Sequence, residues 1–252
     1  MQTLLRVEHL TKIFSTHGKE EYKAVDDVSF SLGYHEKLAV IGESGSGKTT
    51  LTRMITRLSD ATSGDIFLEE KNITRAKGRD LKEIYQKMQM VFQMPLDSFD
   101  PRYRLGDGIA ESLINQGMHR KEAWAEAEDL SVQCGLQKEL LTRYPHEVSG
   151  GQCQRAAIAR ALAIQPKLLI LDEATSALDV TVQKEIIGLL DQLQKDRDMS
   201  YLFISHDIAL VQEFCDRIIV MKNGKIVEEG PSEEVIRSPK NAYTKLLMDS
   251  VL

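Results

Sequence analysis

Apolar and polar residues alternate over Ala24–Leu32, the pattern of a strand with one face buried. Leu38–Ile41 and Leu168–Leu171 are instead unbroken apolar runs, and Leu4–Val7, Asp65–Leu68, Met88–Phe92 and Tyr201–Ile204 are further short strands on the same reading. Residues near 64–93 thus read as a return to strand, with Asp65–Leu68 and Met88–Phe92 as its strands. Helical spacing predicts helices over Thr49–Leu58, His119–Cys134, Gly151–Ile164, Val180–Lys195 and Ile208–Phe214. Arg217–Met221 and Lys225–Glu229 flank Asn223-Gly224, the signal of a type I′ hairpin. Strand formers thin out between Asp100 and Glu147, which reads as a mostly helical insertion packed by the single tryptophan, Trp124. Strands alternating with helices make an α/β chain with a mainly parallel sheet, whose ligands belong at the C-terminal ends of its strands.

Two glycine-rich turns interrupt this pattern at strand–helix junctions. Gly42-Glu43-Ser44-Gly45-Ser46-Gly47-Lys48-Thr49, followed by Thr50, matches G-x-x-x-x-G-K-[ST] in full. Glycines let successive amides curl around phosphate oxygens, and the following helix adds its positive end. Lys48 then reaches the β- and γ-phosphates and the Thr49 hydroxyl binds Mg²⁺. The run Leu168–Leu171 ends in Asp172-Glu173, two adjacent carboxylates that suit a magnesium ligand and a group polarising the attacking water. The second turn, Ser149-Gly150-Gly151-Gln152, opens another helix with Ser149 as its N-cap.

Composition narrows the setting. With 42% hydrophobic and 28% charged residues, the 252-residue chain has the balance of a globular protein with a full core. Its 32 basic and 38 acidic side chains give a net charge of −6, which argues against nucleic acid as a general partner. Cys134, Cys153 and Cys215 form no CxxC pair and fit a reducing compartment. The N-terminus lacks the apolar core of a signal peptide, and no apolar run approaches the length of a membrane span.

Val148-Ser149-Gly150-Gly151-Gln152 resembles the signature of the ATP-binding cassette (ABC) family, and the family's other motifs follow in order. Gln93 resembles the Q-loop glutamine, Ser176–Asp179 the D-loop, and His206 the switch histidine. The resemblance implies one ABC ATPase domain: a P-loop NTPase core with an N-terminal antiparallel β subdomain (1–93 and 148–230), a helical subdomain (94–147) and a short tail (231–252). It implies ATP and Mg²⁺ as ligands, with Thr49, Gln93 and Asp172 around the metal. Glu173 would orient the attacking water, and His206 would contact the γ-phosphate. Phe14 or, alternatively, Tyr22 would stack on adenine. Ser149, Gly150, Gly151, Gln152 and Asp179 would act on nucleotide held by an opposite subunit.

Within the family, Met90–Gln93 with Ser98–Arg102, Tyr144–Gly151 and Ser238–Leu247 resemble the ATPases of oligopeptide, dipeptide and nickel importers. Met94, Val148 and Ala242 depart from that pattern, none at a catalytic position. The implied partners are membrane permeases, a second ATPase subunit that is a paralogue or a second copy, and indirectly an extracytoplasmic solute-binding protein. The implied location is the cytoplasmic face of the membrane, with peptides, nickel and metal chelates all open as solutes. Met94, Phe99 and Tyr103 are expected to line a groove for the permease.

Overall fold

Residues 2–15 and 21–249 are described by the computed structural model. The chain opens with strands β1 (Thr3–Phe14) and β2 (Tyr22–Gly33), paired antiparallel. Then come β3 (Lys37–Ile41), α1 (Lys48–Ile55), β4 (Ser63–Leu68), β5 (Lys71–Asn72), α2 (Arg79–Lys87) and β6 (Met88–Val91). Two helices, α3 (Leu105–Asn115) and α4 (Arg120–Gln133), precede α5 (Gly150–Leu162). The remainder is β7 (Leu168–Asp172), α6 (Val180–Arg197), β8 (Ser200–Ile204), α7 (Ile208–Phe214), β9 (Arg217–Lys222), β10 (Lys225–Pro231), α8 (Ser232–Arg237) and α9 (Ala242–Asp249).

These strands form two sheets. One is antiparallel, in the order β2-β1-β4-β5. The other runs β10-β9-β3-β8-β7-β6, parallel from β9 to β6 with β10 antiparallel at its edge. The α/β, mainly parallel reading holds. Alternation within the parallel strands divides the interior in two. Ala39, Ile41, Leu169, Leu171, Tyr201 and Phe203 face a core shared with α3–α7. Leu38, Val40, Leu168, Ile170, Leu202 and Ile204 face a second core closed by α1 and the antiparallel sheet. Strands buried on both faces carry no polar stripe, which is why they read as solid apolar runs.

The reading of residues 64–93 as strand is corrected by α2, which occupies 79–87. Its apolar face is short, Leu81, Ile84 and Tyr85 in an otherwise polar stretch, and only Ile84 is fully buried. The strand expected over Met88–Phe92 stops at Val91, and the helix expected to Leu58 stops at Ile55. Asn223 and Gly224 both have positive φ (48° and 78°), as a type I′ turn requires. Trp124 packs α4 onto α3: a Cβ on Gly106 would lie 2.5 Å from its ring. Its indole N–H donates to Asp107, 3.3 Å away. Cys134, Cys153 and Cys215 are unpaired and buried.

Glu69, in the turn after β4, ties the antiparallel sheet to the core. It accepts hydrogen bonds from Lys167, Lys87 and the Tyr34 hydroxyl. Those bonds, Lys167's first, hold its carboxyl down at about 2, against an ordinary value of 4.5. A depressed carboxylate stabilises the fold fully above its unfolded pKa, and that contribution fades as pH falls through the folded value. Glu69→Gln is therefore expected to destabilise the protein by about 1–3 kcal/mol near neutrality. In denaturant melts the deficit should shrink by roughly half at about pH 3, whereas a deficit independent of pH would show that charge is not what Glu69 contributes.

Candidate active site

The parallel order sets the site. Because β3, β8, β7 and β6 lie side by side, the segments leaving their C-terminal ends are neighbours: the Gly42 loop, His206, Glu173 and Gln93. Strand ends at such an edge leave backbone and helix N-termini free to meet a ligand.

The Gly42–Thr49 loop takes a shape only glycine permits at two points. Gly42 has φ 148°, and a Cβ there would sit 2.2 Å from the Met221 carbonyl oxygen. Gly47 has φ 106°, and its Cβ would sit 2.3 Å from the Ala24 carbonyl oxygen. The Ser46 N–H donates to the Glu43 carbonyl (3.2 Å), closing the turn. Lys48 is buried, and its Nζ donates to the carbonyls of Gly42 (2.7 Å) and Glu43 (2.9 Å). Ser44, Gly45, Gly47, Lys48, Thr49, Thr50 and Glu173 share one cavity of about 300 Å³.

Phe14 and Tyr22 are cross-strand partners of β1 and β2, and both line that same cavity. Each is about half exposed, at 47% and 55%. The Tyr22 hydroxyl also donates to the Gly45 carbonyl at 3.3 Å. Either ring is free to stack on a flat heterocycle there.

The carboxylates are electrostatically unusual. Asp172 is 7% exposed; its Oδ2 accepts from the Thr52 hydroxyl at 3.5 Å, while its Oδ1 is buried without a partner. Burial, then the Glu173 charge, pushes the Asp172 carboxyl above its ordinary range. Burial also pulls Lys48 below its ordinary value, although Glu173 and Asp172 oppose that. A buried carboxylate oxygen with no donor, beside a buried ammonium, is costly unless something ligates it. The hard oxygens of Asp172 and Thr49 fit Mg²⁺ with phosphate oxygens completing its shell.

Glu173 is held in the left-handed region (φ 49°), its N–H donating to the Ile204 carbonyl at 2.9 Å. Its Oε2 lies 3.8 Å from His206 Nδ1 on the neighbouring strand end. Gln93 is exposed, and its amide donates to the Ser176 hydroxyl (3.2 Å), which in turn donates to the Glu173 carbonyl (2.9 Å). Gln93 is thus linked to Glu173 through one side chain.

Ser149 and Gly150 are exposed, and the cavity at the Gly42 loop includes none of Ser149–Gln152. Ser149 and Gln152 form a reciprocal cap on α5: Oγ accepts the Gln152 N–H (3.2 Å), and Gln152 Oε1 accepts the Ser149 N–H (2.9 Å). A Cβ on Gly151 would lie 2.7 Å from Val182 Cγ1, so glycine lets α5 approach α6. Asp179 caps α6 by accepting the N–H groups of Thr181 and Val182.

Two of the three residues expected to line a groove, Phe99 and Tyr103, do so. A groove of about 400 Å³ runs along Phe99, Tyr103, Asp107, Glu111 and Ile114, but Met94 is not part of it. Phe99 is a core residue at 6% exposure, wedged where a Gly108 Cβ would lie 2.7 Å from its ring and with the Arg160 guanidinium 4.6 Å from its centroid. Sequence reasoning missed a further neighbour of the loop, Tyr243 on α9, whose hydroxyl accepts the Glu43 N–H at 3.2 Å.

The ABC transporter family model matches residues 25–176. The chain is 44% identical to the oligopeptide transport ATP-binding protein OppF of Bacillus subtilis, over 99% of this chain and 83% of that protein. It is 42% identical to the dipeptide transport ATP-binding protein DppF of Lactococcus lactis, over 98% and 81%. Among solved structures it superimposes on the dimeric post-hydrolysis state of the ATP-binding cassette MJ0796 bound to ADP and Pi. That match has a TM-score of 0.84 and 28% identity, and covers 91% of this chain and 99% of the other.

Proposed function

The chain belongs to the ABC transporter family as an ATPase, and we propose that it is the ATP-hydrolysing subunit of a peptide importer. The observation that carries the catalytic part is the meeting of Lys48, Glu173 and the Gly42–Thr49 loop in one cavity, with the unpartnered Asp172 oxygen beside it. Lys48 and the loop amides hold the β- and γ-phosphates, and Phe14 or Tyr22 carries the adenine. Thr49, Asp172 and Gln93 would hold Mg²⁺, which when bound would neutralise charge on the phosphate oxygens. Glu173 accepts a proton from the attacking water, and His206 donates to the γ-phosphate.

Ser149–Gln152 serve a partner's nucleotide in this reading. A helix N-terminus with Ser149 and Gly150 exposed, lying outside its own phosphate cavity, is suited to cap a γ-phosphate presented by a second ATPase subunit. The core (1–93 and 148–230) then carries the chemistry and the segment 94–147 receives the permease, with residues 231–252 as a tail. Exposed Phe92, Met94, Leu96 and Tyr103 offer the apolar contacts. No helix among the described residues is long and apolar enough to cross a membrane; in this reading the subunit meets the cytoplasmic face of the membrane by binding its permeases.

Peptide is preferred over nickel or a metal chelate because the relatives named above are oligopeptide and dipeptide transport proteins. Deleting the chain from its host is expected to reduce uptake of a labelled oligopeptide to background while nickel uptake is unaffected. Loss of nickel uptake with peptide uptake intact would reassign the solute.

A further inference from the structure

The Gly42 loop is held from its outer side by the C-terminal segment, at two points. At the Ser46 end the contact is all backbone. Gly224, in the β9–β10 turn, donates its N–H to the Ser46 carbonyl (2.9 Å) and accepts the Asp26 N–H (2.9 Å). At the Glu43 end a side chain takes part: the Tyr243 hydroxyl accepts the Glu43 N–H.

Tyr243 is itself firmly placed. Glu228 on β10 accepts the N–H groups of Lys240 (2.8 Å) and Asn241 (3.0 Å), which seats the start of α9. The Asn241 side chain donates to the Val227 carbonyl (3.2 Å) and accepts the Tyr243 N–H (2.8 Å). Lys222 Nζ lies 4.3 Å from the Tyr243 ring centroid, and the ring is 6% exposed. One turn further on, Leu247 lines a cavity of about 430 Å³ together with Lys48, Glu173 and His206. Helix α9 therefore reaches the loop and the strand ends that carry the proposed catalytic groups.

We propose that Tyr243 is a positioning residue for nucleotide binding: its hydroxyl holds the Glu43 amide and so pre-forms the entry of the phosphate loop. The inference rests on reading Gly42–Thr49 as that loop. The amide it engages points to α9, so Tyr243 acts through the backbone and touches no reacting atom. A loop held at both ends loses little freedom when phosphates arrive; one released at Glu43 must be ordered by the ligand. The Glu43 carbonyl is already held by Ser46 and Lys48, and the Tyr243 hydroxyl adds the restraint on its amide.

Tyr243→Phe removes the acceptor and keeps the ring, its packing and the Lys222 contact. In the full chain, calorimetry with a non-hydrolysable ATP analogue and Mg²⁺ should show affinity falling about three- to tenfold, the worth of one hydrogen bond. The KM for ATP should rise in parallel, with kcat at saturating ATP within about twofold of wild type. Amide exchange should accelerate at Glu43 and its neighbours in the loop and not across the β9–β10 hairpin. Unchanged or tighter binding would overturn the proposal, as would a fall in kcat at constant KM. Uniform acceleration of exchange would also overturn it, since that marks general loosening. Lys48→Ala, measured alongside, separates the two levels. If it keeps full affinity, the phosphate-loop reading itself fails; if it loses affinity while Tyr243→Phe does not, only the role of Tyr243 fails.

Discussion

Glu173→Gln should cut ATP turnover by about a hundredfold or more while ATP still binds, the usual contribution of a positioned base. Glutamine reproduces the shape of the side chain and leaves the strained backbone at φ 49° unchanged. What disappears is the charge and the proton-accepting oxygen. Two electrostatic consequences follow from the neighbours. Glu173 is one cause of the raised Asp172 pKa, so Asp172 should ionise more readily in the variant. It also supports the Lys48 charge against burial, so some of that support is lost. With less negative charge beside the γ-phosphate and no hydrolysis to release it, a nucleotide-bound dimer should accumulate. Size-exclusion chromatography with ATP and Mg²⁺ reads this directly. Near-normal hydrolysis would remove Glu173 from the chemistry.

Lys48→Ala should fail at an earlier stage. The ammonium is buried and donates to two loop carbonyls, so its removal takes away both a loop restraint and the cation facing the phosphates. Hydrogen bonds to charged groups are worth about 1.5–3 kcal/mol each, which predicts an affinity loss of roughly tenfold to a hundredfold by calorimetry. The variant also tests the composite site when mixed with Ser149→Arg, which fills the exposed start of α5. Each variant alone has no intact site as a homodimer. In the mixed pair, the intact phosphate loop of the Ser149→Arg chain meets the intact signature of the Lys48→Ala chain. ATP-dependent association should therefore reappear on mixing. If wild type associates and the mixture does no better than either variant, Ser149 does not act across the dimer.

The parallel strands were legible because burial on both faces writes itself as four or five consecutive apolar residues, as in Leu168–Leu171. Helix α2 was not, since its apolar stripe is only Leu81, Ile84 and Tyr85, a single helical turn that is easily passed over between two strands. Helix α3 was hidden by Gly106 and Gly108, residues that lower helix propensity but leave room for the rings of Trp124 and Phe99. Phe99 itself reads as a surface aromatic in a polar loop, and only tertiary packing reveals it as core. The phosphate loop could be read because its backbone path excludes every residue but glycine at Gly42 and Gly47. Its restraint by Tyr243 could not. That bond joins positions two hundred residues apart and has no local signature in either segment.

The three buried cysteines have a practical consequence for following this subunit at work. Burial pushes the Cys134 thiol up to about 12 and the Cys153 thiol to about 11, and Cys215 is raised as well. Maleimide reagents attack the thiolate, so the native set is chemically silent at neutral pH in the folded protein. A single cysteine placed on the exposed face, for instance at Gly188 of α6 where an added Cβ meets nothing within 4 Å and the backbone is helical, becomes the one reactive handle without any native cysteine being replaced. Fluorophores attached there report the approach of two subunits by energy transfer, in real time and on otherwise unaltered protein.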